Sequence, residues 1–81
     1  MKEFTNKEKA INFVSDFAEI MNETKLTQLA IVSAKVALSR NIENLTYIAQ
    51  AMSDQGRKKV ASVILAICQN ERDLLSEVEC L

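Results

Sequence analysis

From Thr5 onward apolar residues recur at helical spacing. Ala10, Ile11, Phe13, Val14, Phe17, Ala18, Ile20 and Met21 make one broad apolar face, while Lys9, Asn12, Asp16, Glu19 and Glu23 mark the other at steps of three and four. Thr5 followed by Glu8 is a capping box, in which the hydroxyl satisfies a free N–H of the first turn. The pattern predicts a helix over 6–21. A second helix is predicted over 25–39, with Thr24 as its cap and Arg40-Asn41 as its stop, because a cation suits the C-terminal dipole and Asn tolerates left-handed backbone. Nothing in 22–24 forces a break, so one continuous rod is the other reading of these two segments.

The segment LAIVSAKVAL inside that second helix is apolar nearly all round. At 100° per residue Leu26, Leu29, Ala30, Val36 and Ala37 fall together, Ile31, Val32 and Leu38 point elsewhere, and only Gln28, Lys35 and Ser39 leave a polar arc. A third helix is predicted over 42–54, with Ile42, Leu45, Ile48, Ala49 and Met52 inward. The last begins at the basic turn and carries Val60, Ile64, Ile67, Glu71, Leu74, Val78 and Leu81 in steps of four and three, a heptad seam interrupted by Glu71 alone. Either this helix is continuous, with Lys35 the candidate partner for the buried carboxylate, or it breaks so that Asn70 caps a short fifth helix.

Composition narrows the class. In 81 residues there are one glycine, no proline and 48% hydrophobic residues, which favours helices and leaves few breakers for tight turns. The expectation is all-α: one helical domain over 1–81, a small bundle of four helices, or five if the last one breaks, completed by homodimerisation. A bundle this small can surround one helix fully, yet LAIVSAKVAL and VASVILAIC both ask to be covered. The surplus points to a second copy, with Ile31, Val32, Leu38 and Leu65 as expected interface residues.

Ten cations against eleven anions leave a net charge of −1, so no global field draws the chain to nucleic acid or lipid. Charges scattered through the first twenty residues and short apolar runs argue against a signal peptide or membrane span, and a cytoplasmic location is expected. Cys68 and Cys80 read as free thiols: twelve residues on one helix separate them by about 18 Å, and without histidine a zinc site is not expected. No cofactor is expected either.

The chain's one glycine precedes three cations, Gly56-Arg57-Lys58-Lys59. As structure, glycine ends the third helix in the left-handed conformation, and Asp54 pairs with Lys58 or caps the fourth. The stretch LTYIAQAMSDQGRKKVASVIL also resembles a helix-turn-helix DNA-binding module, with Ile48-Ala49 in the first helix and Val60, Val63 and Ile64 buried in the second. That resemblance implies Arg57, Lys58, Lys59 and Ser62 as nucleic-acid contacts. The turn is one residue longer than in such modules, however, and Ser53 or Asp54 occupies its usual glycine position.

For catalysis the residues offer little. The chain has no histidine, no glycine-rich phosphate loop and no Ser or Cys beside a base, and Glu77 and Glu79 point to different sides of a helix. The reading preferred from the sequence is a non-enzymatic helical module that binds another protein and so regulates, inhibits or adapts a larger machine. A DNA-binding regulator is the alternative.

Overall fold

The computed structural model describes residues 5–23, 25 and 27–81. Among them three helices form: α1 (Asn6–Ile20), α2 (Gln28–Asp54) and α3 (Lys58–Glu79). All-α therefore holds, but a bundle of four or five helices does not.

The difference lies at two asparagines. The segments predicted as separate helices over 25–39 and 42–54 are one 27-residue helix, and α3 runs through Asn70 without a break. Asn is a mediocre helix former, costing only about 0.5–0.7 kcal/mol against Ala in a helix interior. The apolar stripe continues past both residues, from Leu38 to Ile42 and from Ile67 to Leu74, and packing along it outweighs that cost. Glu71 accordingly stays on a continuous helix. It is half-buried and lines a shallow hollow with Asn6, Lys9, Asn70, Asp73 and Leu74; Lys9 of α1 is the cation of that hollow, and Lys35 is not part of it.

The helix ends follow local chemistry. Thr5 caps α1, its hydroxyl accepting from the Glu8 N–H at 3.1 Å as the capping box requires. The cap of α2 is Thr27, which accepts from Ala30 at 3.1 Å; Thr24, expected in that role, lies outside the described residues. Between α1 and α2 the chain does break. Asn22 takes a positive φ of 62°, which lets its own N–H donate to Glu19 O and that of Glu23 to Ala18 O. Gly56 does the same at φ 78°, with its N–H donating to Ser53 O and that of Arg57 to Met52 O. Asp54 accepts from Gln50 at 2.9 Å within α2.

After this turn α3 folds straight back along α2, bringing Cys68 Sγ to 3.5 Å from Thr46 Oγ1. α1 then lies across one end of the hairpin. Its Ala10, Val14 and Ala18 pack with Ala30, Ala34 and Leu38 of α2 and Val78 of α3, flanked by Phe13, Phe17, Ile31, Leu74 and Leu75. Alanines on facing helices let the backbones approach closely. The remainder of the hairpin buries only Ala49, Ala61 and Cys68, all within its own α2–α3 seam. The molecule measures 47 × 29 × 19 Å with a radius of gyration of 14.7 Å, against about 12 Å for a compact domain of this length. It is a short three-helix bundle with a two-helix arm projecting from it.

Candidate protein-docking face

The arm repeats the surface that α1 covers. Ile48 and Met52 follow Ala30 and Ala34 by eighteen residues each, and Val60 precedes Val78 by eighteen. Eighteen residues are five whole turns, so each pair shares one side of its helix. Ile67 stands seven residues before Leu74, on nearly the same side. The strip that receives α1 at one end of the hairpin therefore continues onto the arm, where no element of the described chain covers it. The exposures agree with this: Ile48 is 44% exposed, Val63 60% and Ile67 45%, with Met52, Val60 and Ile64 half-buried between them. Antiparallel pairing, set by the Thr46–Cys68 contact, brings these residues of α2 and α3 to the same level.

The residues first expected at an interface are not brought together. Leu38 is 2% exposed and belongs to the core under α1, and Ile31 packs against that core. The second side of this apolar helix is covered within the chain, fully at Leu38 and in part at Ile31. Val32 and Leu65 remain exposed. Leu65 lines a groove on the other edge of the hairpin with Thr46, Ala49 and Gln50, while Val32 lies fourteen residues before Thr46, about 21 Å along α2.

At the tip of the arm Arg57, Lys58 and Lys59 are all exposed and surround an open hollow with Gly56 and Val60. Arg57 is the residue at the α3 N-terminus and caps no N–H with its side chain. Ser62 does not join them; with Lys58 it lines the groove beside Leu65. A helix-turn-helix sets its helices at about 90–120°, whereas here α3 returns along α2 as far as Cys68 beside Thr46 and Ile42.

Cys68 is buried and Cys80 exposed, both as free thiols. Thr46, and after it Arg72, hold the Cys68 thiol below its ordinary pKa by hydrogen bonding, against burial, which pushes it up. The Thr46 hydroxyl also donates to Ile42 O at 2.8 Å, which anchors this polar spot inside the α2–α3 seam. Among the described residues no three His, Cys, Asp or Glu converge as a metal site would need, and no helix is long and apolar enough to cross a membrane.

Sequence reading placed Ile48, Met52, Ile64 and Ile67 on inward stripes without distinguishing the part that α1 covers from the part left open. The eighteen-residue recurrence was the available signal. Compared with protein-family models, curated proteins and solved structures, the chain matches none.

Proposed function

We propose that this protein is a non-enzymatic, cytoplasmic helical protein-interaction module that regulates, inhibits or adapts a larger protein machine, and that the open face of the α2–α3 arm is where a protein partner docks. One observation carries the reading: the apolar strip that seats α1 continues past it, with Ile48, Val63 and Ile67 about half exposed. An apolar strip formed by two helices is the groove into which a further amphipathic helix packs. Isolated exposed apolar residues are ordinary on a protein surface, but a contiguous set rimmed by charge marks an interaction site.

The test is affinity capture from native lysate with wild type and with Val63→Glu/Ile67→Glu, before and after nuclease. Both positions are about half exposed, so the variant keeps its helical circular dichroism. Proteins that survive nuclease with wild type should be lost with the variant. If the captured material instead disappears with nuclease and is unaffected by the variant, the exposed cations at the tip are the functional surface and the protein is a nucleic-acid binder.

A further inference from the structure

We infer that the occupant of the open face is a second copy of this chain, laid antiparallel on the arm about a two-fold axis through Ile64, so that Arg57 of each copy meets Glu71 of the other. This rests on the docking reading above and names its partner. Along α3 the lane on this face runs Val60, Ile64, Ile67, Glu71 in steps of four, three and four, with Arg57, the residue that precedes the helix, three before Val60 and Glu71 where the lane reaches the hollow beside α1. It opens with a cation, is apolar throughout its middle and closes with an anion. Arg57 and Glu71 stand seven residues to either side of Ile64, about 10 Å each way. Turned end for end, the lane therefore matches itself: apolar centre on apolar centre, and opposite charges at both ends. A two-fold axis needs such a self-complementary patch, and most homo-oligomers are built on one.

On the companion lane of α2 the middle, Ile48 and Met52, is also apolar, and exposed Asn41 and Gln55 stand seven and three residues beyond it. Neither end presents a charge that would meet its like in the antiparallel arrangement. Two arms so joined make a four-helix bundle, with the α1 helices of the two copies at opposite ends. The face is about 20 Å long and two helices wide, roughly 400 Å² in projection on each copy. Side-chain relief brings the accessible surface removed from both copies to the order of 1,000 Å², the lower bound for a specific interface, so dimerisation in the micromolar range is expected.

Sedimentation equilibrium tests this with wild type, Arg57→Glu, Glu71→Arg, the double exchange, and an equimolar mixture of the two single variants. Wild type should dimerise. Each single reversal sets like charges opposite one another twice and should weaken dimerisation at least ~10-fold. The double exchange should restore it, and the mixture should give a heterodimer in which every pair is again opposite in sign. Arg57 is exposed at the helix terminus, so its variant reports on docking even where Glu71→Arg disturbs the half-buried hollow. A wild type that stays monomeric through the micromolar range, or a dimer indifferent to these exchanges, overturns the second-copy arrangement. The docking reading is judged separately, by the loss of captured protein in Val63→Glu/Ile67→Glu.

Discussion

Asparagine stands at three places where a helix has the chance to stop, Asn22, Asn41 and Asn70, and the chain stops only at the first. At Asn22 the apolar face of α1 has ended, Ile20 being 80% exposed, and the left-handed turn satisfies two carbonyls that would otherwise be free. At Asn41 and Asn70 the stripe continues, and both side chains point to solvent. Asn70→Ala should therefore stabilise the fold by about 0.5 kcal/mol, the gain in helix propensity, and Asn22→Ala should destabilise it by about 1 kcal/mol through the positive φ. Urea unfolding reads both, and a loss of stability in Asn70→Ala would mean that this residue is a cap after all. The caps at Thr5 and Gly56 were legible in the sequence because each is settled by residues within one turn. The choice among the asparagines was not, since the same side chain serves a helix end and a helix surface, and only packing several turns away decides. Leu38 was misread for a related cause: the periodicity of one helix shows how many sides are apolar and not which neighbour covers each.

At the scale of the elements, α2 and α3 form a hairpin with two unequal ends. Under α1 the buried set includes Val14, Leu38 and Val78, whereas the arm contributes Ala49, Ala61 and Cys68. Local stability follows buried apolar contact. Amide hydrogen exchange in a dilute sample should accordingly be faster over 43–53 and 60–68 than over 30–38 and 72–78. Raising the concentration should slow exchange in the arm alone, because docking adds contacts there and nowhere else. Uniform protection along α2 would show that the arm needs no cover. The apolar positions of the α3 seam were readable from the sequence, but whether the helix continues through Asn70 and Glu71 was not. Its division into a covered and an open half depends on where a fifteen-residue α1 comes to rest, and that is tertiary information.

For the whole molecule, shape is the measurable quantity. A radius of gyration of 14.7 Å belongs to an incomplete bundle. Small-angle scattering should return that value on dilution and a larger one as the arms overlap with rising concentration, and a value near 12 Å at any concentration would show the arm folded onto the body. A net charge of −1 sets little long-range repulsion against such association, so the pairing of Arg57 with Glu71 is left to fix orientation. Val78, fully buried in the core, carries a consequence for the nascent chain. It belongs to the last turn of α3, and the cluster that joins α1 to α2 closes around it. Synthesis delivers α1 and the apolar α2 well before that residue, at about 5–20 residues per second. For a few seconds on the ribosome α2, the longest of the described helices, has α1 beside it but not Val78 or the rest of α3, and its apolar surface is least covered in that interval.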